Sequence, residues 1–210
     1  MIDFLFPPNS LPKINWKISL IIIVSTLILI TSHYNMIFQA KELDHFFYYL
    51  VLPLALIILI LRENPALYGF QIGDWKAGLI FTVIGWIATF IIMYFVAQTS
   101  DFKGYYASQA RPLLQLSINT GLDLIGWEFL FRGLLLFALL PVCGPYAILI
   151  QAIPFTIAHI GKPELETLSC IFGGSIFGLI AWRTRSFLYP FLIHWFLAII
   201  TILFAAAAGS

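Results

Sequence analysis

The sequence predicts an all-α fold, a polytopic transmembrane bundle of about seven spans. Three observations predict it. Of the 210 residues, 61% are hydrophobic and only 10% are charged, more apolar surface than a soluble domain of this size has interior to hide. The apolar residues fall into runs near the ~20 residues needed to cross a bilayer core as a helix. The charges gather at breaks that also hold proline, glycine and tryptophan, the usual punctuation of membrane boundaries. The formal net charge of +1 gives no basis for a nucleic-acid partner. Cys143 and Cys170 lie in apolar context without a CxxC spacing, which predicts buried free thiols.

Residues 1–12 carry Pro7, Pro8 and Pro12 and read as an irregular interfacial leader. Lys13 and Lys17 precede an apolar run from Ile18 to Ala40. That run exceeds signal-peptide length and has no clear small-x-small cleavage site, so it is expected to be retained as span one. Span two runs from Phe46 to Leu61, with Pro53 inside it and Arg62-Glu63-Asn64-Pro65 closing it. A polar, glycine-containing loop from Tyr68 to Trp75 leads to span three, Ala77 to Ser100. Residues 101–112 form a loop or short interfacial helix.

In the second half the apolar segments themselves carry polar groups. Span four, about Leu113 to Leu140, holds Asp123, Glu128 and Arg132. Span five, about Tyr146 to Ile160, ends in His159. Span six, about Thr167 to Trp182, has a small-residue face of Gly173, Gly174 and Gly178 suited to close helix contact. Span seven, from about Phe187, contains His194. The chain therefore divides into an N-terminal part, residues 1–112 with spans one to three, and a core, residues 113–210 with spans four to seven, within one structural domain. The Lys and Arg counts favour a cytoplasmic N-terminus by a narrow margin.

An ionisable group exposed to lipid mid-span costs ~2.5–3.5 kcal/mol on insertion scales, so such groups normally face a bundle interior and mark function. Glu128 and Arg132 are spaced i, i+4, on one helical face, and are expected to pair. His159 and His194 each follow a proline by about one turn, Pro154 and Pro190. Proline kinks there would open a polar cavity. A carboxylate with an imidazole can activate water, and a second imidazole or a metal can stabilise the resulting oxyanion. His159, His194 and Glu128 also make a donor set for zinc, although no HExxH helix makes that specific.

Glu128-x-x-x-Arg132, then Phe155-x-x-x-His159, then His194 resembles the CPBP family of intramembrane proteases, which includes the type II CAAX prenyl endopeptidases and bacteriocin-processing proteins. The flanking Phe131-Arg132-Gly133-Leu134-Leu135 and Trp182-Arg183-Thr184-Arg185-Ser186 are similar to the family as well. The resemblance covers roughly residues 113–205. It implies an intramembrane endopeptidase, of metallo or glutamate type, in which Glu128 and His159 activate water, Arg132 fixes the carboxylate and His194 stabilises the oxyanion. It also implies a peptide or lipidated-peptide substrate met in the lipid of a cell membrane. Two positions depart from the family pattern. Trp127 stands where the first of two glutamates is expected, and Ala198 where an asparagine is expected. Asp123, one turn before Trp127, is the first candidate to stand in for the missing carboxylate. Glu166 is another, placed just after His159, where an ordinary interfacial turn is the plainer reading. The alternative function is a non-catalytic membrane protein that keeps the cavity for binding, as an immunity or scaffold protein. A small-solute transporter is disfavoured, since no inverted repeat of broken helices is visible.

Overall fold

The computed structural model describes residues 15–208. The proline-rich leader expected over residues 1–12 lies outside them. The described chain is helical throughout, with no strand. Helix α1 is Trp16–Tyr34, capped by Asn15 Oδ1 accepting Lys17 N–H at 3.2 Å. It ends before the sequence suggested, because Asp44 Oδ1 accepts the backbone N–H of Ile37 at 2.7 Å and of Phe38 at 3.1 Å. Those bonds hold 35–40 as a hairpin loop rather than a further helical turn. Helix α2 is Lys41–Leu61. Its π-helical stretch Phe47–Val51 precedes Pro53, so the widened turn absorbs the proline without breaking the helix. After a short 3-10 turn, Pro65–Tyr68, helix α3 is Trp75–Val96, capped by Asp74 Oδ1. A short helix α4, Ser100–Tyr106, follows.

Helix α5, Leu113–Glu128, runs without interruption through a π-helical stretch, Phe129–Leu135, into α6, Leu136–Cys143. Helix α7 is Ala147–Ile157, α8 is Glu164–Thr184 and α9 is Leu188–Ala207. Six helical stretches among the described residues are long and apolar enough to cross a membrane. The predicted spans four and five both fall within one of these, the 45-residue stretch Leu113–Ile157, divided at the turn Gly144–Tyr146. At a rise of ~1.5 Å per residue, α7 by itself is about 16 Å long, half of a hydrocarbon core. It stops where His159 begins a turn and Gly161 takes φ +98°. The protein is a multi-pass membrane protein.

Glycine contacts set how closely the helices pack. A Cβ at Gly78 would lie 2.2 Å from the Tyr189 ring, and one at Gly85 would lie 2.7 Å from Ile193, so α3 and α9 touch along that line. Trp195 donates Nε1–H to Ser117 O at 2.9 Å and lies over Gly121, fixing α9 against α5. Of the predicted small-residue face of α8, Gly174 and Gly178 do meet α7. A Cβ at Gly178 would fall 2.6 Å from Gln151 Nε2, and that amide donates to Gly174 O at 2.9 Å. Gly173 instead faces open space. Pro190 does not kink its span as expected. It is the third residue of α9, within the first turn, where a missing N–H costs nothing. Cys170 is buried and Cys143 half-buried, and both are free.

Candidate active site

Glu128 and Arg132 are fully enclosed, each 0% exposed. Arg132 Nη1 donates to Glu128 Oε1 at 3.2 Å, the expected i, i+4 pair. The guanidinium carbon lies 3.8 Å from the centre of the Phe155 ring and 5.5 Å from that of Phe177, so the cation is stabilised by aromatic faces as well as by the carboxylate. The same Oε1 is 2.7 Å from His194 Nδ1. A carboxylate flanked by a guanidinium accepts from the imidazole, which places the His194 hydrogen on Nδ1 and leaves Nε2 free. Glu128 Oε2 and Arg132 Nε and Nη2 have no hydrogen-bond partner among the described residues.

His159 is fixed by a different device. Its Nδ1 donates to Phe155 O at 2.8 Å, one turn back, and its own carbonyl accepts Thr167 Oγ1–H at 2.9 Å from α8. Here too Nδ1 is occupied and Nε2 is free. Both histidines line one cavity of about 360 Å³, walled by residues of α2, α3, α4, α5, α7, α8 and α9. Its apolar wall includes Met93, Leu197, Ala198 and Ile202, and its polar groups include Asp123 and Glu166. Glu128 stays behind His194 and does not reach this wall.

Glu166 belongs to the first turn of α8, not to an interfacial turn. It accepts Tyr106 O–H at 2.6 and 2.8 Å and Lys162 Nζ at 2.9 Å, tying α4 to α8 over the cavity. Burial, with the Glu166 charge second, raises the Tyr106 hydroxyl above its ordinary range. Asp123 lies 2.5 Å from His45 Nδ1 through Oδ1 and 3.3 Å from Lys41 Nζ through Oδ2. In the sequence His45 stands beside Lys41, Glu42 and Asp44 at the polar break between spans one and two. It comes to Asp123 because Gly126 lets α2 and α5 meet: a Cβ there would be 2.6 Å from His45 O. No local pattern in the sequence announces a contact between residues 78 positions apart. Trp127 lies between the two groups. Its Nε1 is 3.0 Å from His45 Nδ1, and its ring is centred 5.5 Å from that of His159. An indole only donates, so Asp123 and Trp127 compete for one ring nitrogen. The shorter, charge-assisted contact puts the hydrogen on Nδ1, pointing at Asp123.

Of the donor set proposed from sequence for zinc, Glu128 does not fit: it sits behind His194, where its Oε1 accepts from Nδ1, on the far side of that ring from the open Nε2. The Nδ1 anchors of His194 and His159 leave both Nε2 atoms open. Among the described residues no three His, Cys, Asp or Glu side chains are grouped so that they could hold a metal ion.

Residues 109–200 match the family described as type II CAAX prenyl endopeptidase Rce1-like. This stretch is similar to that family. It contains Glu128, Arg132, His159 and His194, together with the departures at Trp127 and Ala198, and so bears out the resemblance read from the three motifs. No curated protein and no solved structure matches the chain.

Proposed function

We propose that the protein is an intramembrane endopeptidase of the CAAX-protease type, acting in a cell membrane on a peptide or lipidated peptide. The observation that carries this reading is the pair of imidazoles, His159 and His194, on the wall of one cavity, each with Nδ1 anchored and Nε2 free. His159 Nε2 accepts a hydrogen bond from the attacking water and orients it. The water oxygen bonds to the scissile carbonyl carbon, and the carbonyl π electrons move to oxygen. His194, protonated at Nε2, donates to that oxyanion, while Glu128 offsets the imidazolium charge from behind. Glu128 thus works through His194, and Arg132 holds Glu128. The proton that the water gives up on attack passes to the leaving amine as the carbon–nitrogen bond breaks. Apolar residues around the cavity suit a lipid-linked or hydrophobic peptide.

The test uses the purified protein in liposomes with internally quenched peptides, with and without a farnesylated C-terminus. The parent cleaves, and His159→Ala and His194→Ala each lower kcat/KM by about a hundredfold or more. Because the two act as one unit, the double variant is scarcely worse than either single. Cleavage at the parental rate by His159→Ala would sink the proposal.

One observation favours the second reading, a non-catalytic binding protein: Trp127 fills the position of the family's first glutamate. An inert parent whose Trp127→Glu variant cleaves would favour it.

A further inference from the structure

We infer that Asp123 is the carboxylate that takes the proton of the attacking water, and that His45 is the residue that positions it. This rests on the endopeptidase reading. A peptide hydrolase needs a proton acceptor near the water, and position 127 cannot supply one because indole has no acceptor atom. Asp123 is the remaining carboxylate of α5 on the cavity wall, shared with His159 and His194. Glu166 lines the same cavity but is fully engaged: both oxygens accept from Tyr106, and Lys162 takes one of them. Glu128 is shut away behind His194.

Asp123 is aimed by its surroundings. Oδ1 is held at 2.5 Å by His45 Nδ1, and the His45 ring is itself clamped between Tyr49, centred 4.8 Å away, and Trp127, 5.6 Å away. Tyr49 is fixed in turn by its hydroxyl contact with Ser32 at 2.5 Å. Among the described residues Oδ2 has only the Lys41 ammonium, at 3.3 Å on a side chain 64% exposed. One oxygen is therefore fixed and the other is left to meet the cavity. In the step, a water O–H bond breaks and its proton goes to Asp123 Oδ2. The water oxygen uses the freed electron pair to bond the carbonyl carbon. Asp123 then returns the proton to the leaving amine, so it ends as it began. Trp127 keeps a role in this arrangement. It takes the place of the missing acid, packs against His159, and lies against the nitrogen of His45 that orients the substitute acid.

The experiment compares the parent with Asp123→Asn, His45→Phe, His45→Asn, His159→Ala and Trp127→Glu in the liposome assay, with a thermal melt of each. Asp123→Asn should lower kcat about a hundredfold, change KM less than about threefold, and remove the acidic limb of the kcat profile. His45→Phe should lower kcat about tenfold and shift that limb, whereas His45→Asn, which can still donate to Asp123, should recover most of the rate. A purely structural His45 would lower the melting temperature and leave the limb in place. If Asp123→Asn keeps its rate or its acidic limb while His159→Ala is dead, this inference is overturned and the endopeptidase reading stands. An inert parent with an active Trp127→Glu overturns it too, because Asp123 has then failed to replace the glutamate. If neither cleaves, both the reading and the inference fall.

Discussion

Asp123 and Glu128 stand five residues apart on one helix, and each is supplied with an imidazole and a cation. Glu128 has His194 at 2.7 Å and Arg132 at 3.2 Å, whereas Asp123 has His45 at 2.5 Å and Lys41 at 3.3 Å. The difference is enclosure. The Glu128 side chain is 0% exposed and its cation is equally buried, while the Asp123 side chain is 19% exposed and its cation 64%. The same ionic chemistry gives opposite consequences in the two places. Inside, each charge has been taken out of water and depends on the other, so the pair is hard to break and slow to exchange protons with solvent. At the wall, water shares the load, so the pair adds little to stability and its carboxylate can do proton chemistry.

The largest effect should come from breaking the inner pair. Arg132→Ala strands a buried carboxylate and should cost ~3–5 kcal/mol of folding stability, read as a large fall in melting temperature in detergent. The double change Glu128→Gln with Arg132→Met leaves no buried charge and should be milder than Arg132→Ala alone. Lys41→Met, the matching change at the wall, should cost no more than ~1 kcal/mol. Equal losses in Arg132→Ala and Lys41→Met would erase the distinction drawn between the two carboxylates.

How much of this could be read from residues follows the same division. The inner pair was legible because both partners lie on one helix, four residues apart, and helical geometry alone brings them together. That both histidines would turn inward was legible from their isolation in apolar sequence, as was the run of spans, although only His194 meets the inner pair, and His159 shares its cavity without touching Glu128. His45 was not, because it stands at the polar start of α2 among Lys41, Glu42 and Asp44, where a histidine needs no explanation. Its partner is 78 residues away, and what joins them is the small size of Gly126, which the sequence shows only as one more glycine. Pro190 misled for a related reason. A proline one turn before a buried histidine looks like a kink until the helix start is known, and α9 begins at Leu188.

Gly126 therefore offers an intermediate perturbation that acts on one carboxylate and spares the other. A side chain there meets His45 O at 2.6 Å and Tyr49 Cβ at 3.1 Å, and the first of these is backbone that can move only with its helix. Gly126→Val should cost ~1–3 kcal/mol through overpacking and part α2 from α5. Crosslinking of cysteine pairs placed across the α2–α5 contact would report the separation. In the double variants, adding Asp123→Asn to Gly126→Val should lower the rate by only about a further tenfold rather than its usual hundredfold, because the His45 contact is already gone. Adding Arg132→Ala should still lower the melting temperature by its full amount. A Gly126→Val protein in which Asp123→Asn still costs its full factor of about a hundred would show that His45 does not position Asp123.

The smallest effect belongs to a third carboxylate, which extends the series outward. Glu63 lies in the loop after α2 and accepts from Lys17 and from the Tyr68 hydroxyl, with side-chain exposures of 26% for Glu63 and 35% for Lys17. Those hydrogen bonds, Lys17 first and Tyr68 second, hold its carboxyl below the usual value of 4.5. A carboxyl whose folded value is depressed contributes stability that is present above the unfolded value and is lost as pH falls through the folded one. Glu63→Gln should therefore destabilise the protein slightly at pH 7, by ~0.2–1 kcal/mol as for exposed pairs. Parent and variant should then converge as the pH falls from 4.5 through that lower folded value. Raising salt should shrink the same difference, since screening acts on pairs that water reaches. The Arg132→Ala deficit at pH 7 should hardly respond to salt. A Glu63→Gln deficit that survives both acid and salt would mean that this loop is held by packing around Tyr68 rather than by charge. The series of three carboxylates would then be graded by something other than their access to water.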